Sequence, residues 1–300
     1  MATQKEIEST YDYMDEIFRL SLGDHADITC AMYNSDFSLT LDQAQETKHK
    51  YILESIHLKK GDRILDIGCG WGPMLKIIKQ NGSIGIGVTL SPAQAKACEA
   101  DGLEVYIKDW KTINPEEIGK FDGIVSVGAF EHFCSIDELR EGKQDKIYNQ
   151  FFKLCSDLLK PGGRLFLQTM TWGKNIPKVG DLDIKALKLS DGWILGHVEK
   201  FYPGSWLPNG LKHLKTCASP YFNFVSSNNG RLDYIQTMKE WGRKGSKFNF
   251  KKLFFLFKLI PKYFTDKNFR YQVTSMRYSC NRKCFERLIM SHERAVFEKK

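Results

Sequence analysis

The sequence of 300 residues lacks any apolar run long enough to cross a bilayer: late in the chain the longest is LFFLF at 253–257, against the roughly 20 residues that a helical span needs. MATQKEIEST at the start has no apolar h-region, so the chain reads as carrying no secretory signal. Its eight cysteines, at 30, 69, 98, 134, 155, 217, 280 and 284, include no C-x-x-C pair. That spacing argues against a zinc site and a disulfide framework, and for a reducing cytoplasm. Internal repeats and low-complexity tracts are also missing. Acidic residues are scarce in the last third. Residues 201–300 hold 20 Lys+Arg against 6 Asp+Glu, a net of +14, whereas residues 1–200 hold 24 against 30, a net of −6. The C-terminal third is therefore suited to an anionic partner, either nucleic acid or a membrane surface.

What remains is an ordinary globular composition, 42% hydrophobic and 27% charged, with ample chain for a large core. The first fifty residues read as helical. In YDYMDEIFRLSL the apolar Tyr13, Ile17, Phe18 and Leu20 recur at helical spacing, and a second helix is predicted over 41–57 with Thr40 or Asp42 as N-cap. From residue 61 the pattern changes to short β-rich runs alternating with helices. Strands are predicted at 63–67, 85–90, 104–109, 121–128 and 164–170, with an amphipathic helix over 146–159 that ends at Pro161-Gly162-Gly163. This alternation implies βαβ units and a Rossmann-like, doubly wound, mostly parallel α/β sheet. Residues 173–215 read as an irregular insertion with short helices. YFNFVSS at 221–227 reads as a sixth strand and RAVFEK at 294–299 as a returning edge strand. On this reading the whole chain, 1–300, is one domain, with a helical lid (1–60), a cofactor-binding core (61–172) and a substrate-side helical insertion with closing strands (173–300).

The strongest local signal is LDIGCGWG at 65–72. A buried strand delivers Asp66 at its end, and Gly68, Gly70 and Gly72 let the backbone turn tightly against a ligand beyond the carboxyl end of the sheet. The spacing is not that of the dinucleotide fingerprint, nor is it a P-loop. A nucleoside-type cofactor is the ligand it predicts.

With GVTLSPAQ at 87–94, SVGAFEHF at 126–133, TCAMY at 29–33, FYPGSWLP at 201–208 and LDYIQTMKEW at 232–241, the chain resembles the cyclopropane-fatty-acid and mycolic acid cyclopropane synthase family of class I S-adenosylmethionine-dependent methyltransferases. GAFEHF and the TLSxxQ pattern are specific to that family among methyltransferases. The resemblance implies S-adenosylmethionine as cofactor. Gly68, Gly70 and Gly72 would lie at its methionine and sugar, with Asp66 at the strand end before them. Thr89, Leu90 and Gln94 would stand where other methyltransferases bind the ribose, Asp109 and Trp110 beside the adenine, and Thr29 where a cofactor-contacting serine is expected.

The resemblance further implies a carbon nucleophile, the π bond of an unsaturated acyl chain, and a bicarbonate ion as the base that closes the ring. The holders of that ion correspond to Cys30, Glu131, Tyr234 and a backbone amide near Val127. The remaining holder, a histidine in the family pattern L-H-T, is here Gln168 in LQT. Glutamine donates hydrogen bonds but does not take up a proton. Ile28 and Lys111 also depart from the family's tyrosine and glutamate. Of Glu131 and its neighbour His132, Glu131 is the better candidate base. No metal is expected.

The segment 243–270 carries nine Lys/Arg and one acidic residue, interleaved with Phe and Leu. Such a stretch suits peripheral contact with an anionic membrane, or it forms a lid whose apolar face packs on the core; nucleic acid is a weaker expectation. The function predicted is cyclopropanation, or methyl or methylene branching, of an unsaturated lipid by a cytoplasmic enzyme. The alternatives are C- or N-methylation of a small hydrophobic metabolite, such as an isoprenoid diphosphate or an amine, and a non-catalytic protein that binds cofactor or RNA.

Overall fold

A computed structural model describes residues 20–22 and 27–300 of the protein. The first predicted helix falls outside the described residues apart from Leu20–Leu22, which are helical. Helix α1 (Leu41–Ser55) begins at Thr40, whose side chain accepts from Gln43 N–H while the Gln43 side chain accepts from Thr40 N–H. This reciprocal cap satisfies two N–H groups that a helix start leaves open.

The βα alternation follows as predicted from the sequence. Strand β1 (Arg63–Ile67) leads to α2 (Pro73–Gln80), β2 (Ile84–Thr89) to α3 (Pro92–Ala100), and β3 (Glu104–Ile107) to the short α4 (Pro115–Ile118). Strand β4 (Phe121–Val127) precedes α5 (Ile136–Arg140) and α6 (Gln144–Leu158), and β5 (Leu159–Trp172) closes the parallel part. Both faces of this sheet are covered, which is why its strands read as near-continuous apolar runs. On one face Ile147, Tyr148, Phe151, Phe152 and Cys155 of α6, at helical spacing, pack on Leu65, Ile124, Leu165 and Leu167. On the other, Ile52 of α1 and Met74 and Ile78 of α2 meet Ile64, Val125 and Phe166. Each such side chain contributes about 1.5–3 kcal/mol by leaving water.

After β5 come α7 (Asp191–Val198), α8 (Gly210–Ala218) and β6 (Phe222–Asn229). Four consecutive helices, α9 (Arg231–Gly245), α10 (Phe250–Thr265), α11 (Lys267–Arg277) and α12 (Cys280–Glu286), then precede β7 (Met290–Lys299). The sheet order is β3-β2-β1-β4-β5-β7-β6, with β7 antiparallel to both neighbours. The edge position predicted for 294–299 is corrected: β7 is an interior strand, and β6, largely exposed, forms that edge. Arg294, Ala295, Val296 and Phe297 are buried because α8 and α9 cover the two sides of the sheet there, whereas Glu298 and Lys299 are half-buried. Among the described residues no helix is long and apolar enough to cross a membrane.

Candidate active site

Beyond the carboxyl ends of β1, β2, β4 and β5 lies a cavity of about 810 Å³, in the place where open α/β sheets bind ligands. Its wall takes in Thr29, Cys30, Asp66, Gly68, Gly70, Thr89, Leu90, Gln94, Asp109, Trp110, Val127, Glu131, Gln168 and Tyr234. Gly72 is turned elsewhere: a Cβ built on it would meet Leu103 Cδ1 at 2.7 Å and Cys98 Sγ at 3.0 Å. It seats α3 against the loop and does not face the cavity. Gly68 has φ +83°, and a Cβ there would stand 2.3 Å from Ala129 Cβ. Only glycine permits that conformation and that approach of the β1 and β4 loops. A Cβ on Gly70 would meet nothing within 4 Å.

At the loop end, Thr89 Oγ1 donates to Gln94 Oε1 at 2.7 Å, fixing the amide over the end of β2. Asp109 caps a short 3-10 turn by accepting from Lys111 N–H at 2.9 Å with one oxygen. Trp110 is held by Phe133 at 5.0 Å and Phe151 at 5.5 Å between ring centroids. Burial, assisted by the carboxylate of Asp27, pushes the Asp66 carboxyl up to about 7.

Among the wall residues that escaped the sequence reading are Asp27, Lys48 and His49. Lys48 Nζ bonds Asp27 Oδ2 and donates to Thr29 Oγ1 at 2.7 Å, and His49 Nε2 lies 2.8 Å from the same Asp27 oxygen. Burial opposes ionisation of Asp27, but the Lys48 ammonium and the His49 hydrogen bond outweigh it and hold the carboxyl well below its ordinary range. The available signal was Lys48 itself, on the buried stripe Leu41-Ala44-Gln45-Lys48-Ile52 of α1; a lysine at such a position needs a partner.

The far side of the cavity joins residues from distant segments. Met170 N–H donates to Glu131 Oε1 at 2.8 Å, while Glu131 Oε2 is buried with no partner. Burial pushes this carboxyl up to about 7, against the pull of the Met170 hydrogen bond. Glu131 therefore does not cap the next helix; Ser135 and Glu138 do that. His132 Nδ1 lies 3.2 Å from Ser205 Oγ, and burial pushes its ring down to about 4. Cys30 is buried, and desolvation pushes its thiol up to about 12 despite Arg294 nearby. Tyr234 packs against Phe285, Trp241 and His292.

Gln168 departs from expectation. Its Nε2 donates to the Cys30 carbonyl at 3.2 Å and its Oε1 accepts from Arg294 Nε at 3.3 Å, so both ends of the amide are engaged by protein. Arg294 is fully buried and is the reason. It also donates to Asn228 Oδ1 at 2.7 Å, Asp233 Oδ2 at 2.9 Å, the Ala31 carbonyl at 2.7 Å and Cys30 Sγ at 3.4 Å. A buried guanidinium needs acceptors on every side, and Gln168 supplies one. The sequence around Arg294 carried little signal, since β7 also holds Glu293, Glu298 and Lys299. Outside the cavity wall, Asp145, His213 and Cys217 lie together, with the two His213 nitrogens engaged by Asn209 N–H and Asp145 Oδ1.

Segment 243–270 contains α10, and the apolar side chains Phe250, Phe254, Phe257 and Phe264 are 77, 64, 59 and 74% exposed. The reading of this stretch as a lid with its apolar face on the core does not hold for these rings. Lys252 differs from its neighbours: it is buried, donates to the Gly245 and Lys247 carbonyls, and lines the cavity.

Comparison with known proteins agrees with this architecture. Residues 1–252 match the model of the mycolic acid cyclopropane synthetase family. Cyclopropane-fatty-acyl-phospholipid synthase of Escherichia coli (strain K12) is 30% identical over 236 residues, covering 77% of this chain and 54% of that protein. The chain thus spans about half of that relative's length. Cyclopropane mycolic acid synthase 2 of Mycobacterium leprae is 35% identical over 257 residues, 78% of this chain and 77% of that one. Among solved structures, a mycolic acid cyclopropane synthase complexed with SAH and CTAB superposes with a TM-score of 0.75 at 24% identity, over 99% of this chain and 98% of that one.

Proposed function

Because this chain belongs to the mycolic acid cyclopropane synthetase family, we propose that it transfers a methyl group from S-adenosylmethionine to the double bond of an unsaturated acyl chain. The product is a cyclopropane, with a methyl or methylene branch as the close variant. The observation that carries this reading is one continuous cavity with a polar loop end and, at the other, a buried wall of Cys30, Glu131, Gln168 and Tyr234.

The loop end suits the methyl donor. The open face of Gly70 lets a ligand approach the backbone, Gln94 and Thr89 offer hydrogen bonds to ribose hydroxyls, and Trp110 with Asp109 suits an adenine. The donor supplies an electrophilic methyl on a sulfonium. On the far wall burial keeps the Cys30 thiol neutral and opposes ionisation of the Glu131 carboxyl, which makes both poorer targets for alkylation than an exposed thiolate or carboxylate.

Bicarbonate, expected as the base, finds two of its expected holders already engaged by protein. The Gln168 amide is bound by Cys30 and Arg294, and the Cys30 S–H is within 3.3 Å of the Ala31 carbonyl.

The exposed Phe residues and Lys251 and Lys258 of α10 support docking on an anionic membrane that holds the acyl chains. Reversing Lys251 and Lys258 to Glu should weaken sedimentation with anionic vesicles at low salt; unchanged sedimentation refutes the docking.

The activity is tested with donor carrying a CD3 group, offered to unsaturated phospholipid vesicles and separately to a pooled metabolite extract, with products read by mass spectrometry. Ring closure removes one proton from the new methyl, so acyl chains that gain two of three deuteriums support the reading. Label confined to a small metabolite overturns it in favour of small-molecule methylation.

A further inference from the structure

Strand β7 brings a histidine to the same wall. The β5–β7 ladder pairs Gln168 with Arg294 and Met170 with His292. Alternate residues of a strand share a face, so these four lie together. Glu131, bonded to Met170 N–H, reaches the same layer. In an antiparallel ladder diagonal neighbours stand roughly 7–8 Å apart, which places His292 one diagonal from Gln168.

His292 lines the cavity, is 2% exposed, and its Nδ1 is buried without a partner. Its ring meets Tyr234 edge to face at 5.1 Å. Buried polar atoms without partners are rare and call for an explanation. Burial, with the nearby charges of Arg294 and Lys48, holds the imidazole well below its ordinary pKa, hence neutral with a lone pair available. The other groups on this wall are less suited. Gln168 does not take up a proton, burial keeps the Cys30 thiol neutral, and Glu131, whose ionisation burial opposes, already accepts from Met170 N–H through one oxygen.

We propose that His292 is the catalytic base that removes the proton whose loss closes the ring, an inference that rests on the cyclopropane reading above. Methyl transfer to one alkene carbon breaks the donor's C–S bond, whose electron pair stays on sulfur, and leaves the other carbon cationic. A C–H bond of the new methyl then breaks. Its electron pair forms the second ring bond, and the proton goes to the imidazole, which becomes imidazolium and later returns it to solvent. A proton beside a carbocation is strongly acidic, so an imidazole of weakened basicity suffices.

The test uses the full chain, CD3-labelled donor and dioleoyl-phosphatidylglycerol vesicles. His292→Phe keeps a ring against Tyr234 and removes both nitrogens; His292→Ala leaves room for added imidazole. S-adenosylhomocysteine binding by calorimetry reports whether each variant retains its fold. The expected result is a loss of ring product of about 100-fold or more in both variants, with S-adenosylhomocysteine binding kept. The share of branched product retaining all three deuteriums should rise, and millimolar imidazole should restore ring product in His292→Ala. His292→Phe forming ring product within threefold of wild type, at the wild-type share, overturns the proposal. So does a loss of cofactor binding in step with activity, which marks a structural role. Wild-type protein that forms no acyl product overturns the cyclopropane reading itself and the role of His292 with it, whereas equal ring closure in wild type and His292→Phe overturns only the latter.

Discussion

Glutamate 131 should make the protein less stable as the pH rises, and Glu131→Gln should remove that penalty. In the folded chain burial pushes its carboxyl up from 4.5 to about 7, so between these values the folded state holds a proton that the unfolded state has released. Stability contributed by this group is therefore present below about pH 4.5 and is lost as the pH rises through 7. A shift of this size corresponds to about 3 kcal/mol at 1.36 kcal/mol per unit. Glutamine imitates the protonated acid: its Oε1 can still accept from Met170 N–H, and its amide stands where the unpartnered Oε2 is now. At pH 5 the variant and the wild type should unfold within about 1 kcal/mol of each other. At pH 8 the variant should be more stable by up to about 3 kcal/mol. Urea unfolding followed by circular dichroism at half-unit steps from pH 5 to 8 measures this directly. Comparing variant with wild type at each pH cancels the similar rise at Asp66. Parallel stability curves for the two proteins would refute the buried, uncompensated carboxyl.

Two further outcomes follow from particular contacts. Asp233→Asn leaves Arg294 fully buried and short of its counter-charge, and should lower unfolding stability by about 3–5 kcal/mol in urea melts; a change under 1 kcal/mol would mean that Asn228, Gln168 and the Ala31 carbonyl suffice. Gly68→Ala places a methyl 2.3 Å from Ala129 Cβ, whereas Gly70→Ala meets nothing. The first should abolish S-adenosylhomocysteine binding and lower the melting temperature, and the second should cost only about 1–2 kcal/mol of backbone strain; equal melting temperatures would refute the close approach.

The βα alternation, the glycine turn and an N-cap at Thr40 or Asp42 were legible in the sequence because each is fixed by neighbours a few residues apart: short apolar runs, positive φ, a side chain reaching its own helix. At the loop end Asp66 and Gly68 were legible for the same reason, whereas Thr89, Gln94, Asp109 and Trp110 were named through the family resemblance; all six line the cavity from successive strand ends. The far wall was only half legible. Cys30, Glu131, Gln168 and Tyr234 could be named from motifs, but not what occupies the Gln168 amide, because its partner Arg294 lies 126 positions away in sequence.

The chain's amino acids alone determine an α/β sheet with a glycine-rich loop after its first strand and a basic, aromatic C-terminal third. Tertiary structure alone decides that the last strand enters between β5 and β6 rather than ending at the edge. With that insertion a buried guanidinium takes up the Gln168 amide and His292 comes to the cavity wall. The physical reason is that strand order and the pairing of buried charges are settled by which surfaces remain uncovered after the local elements have formed, and no short-range pattern records that.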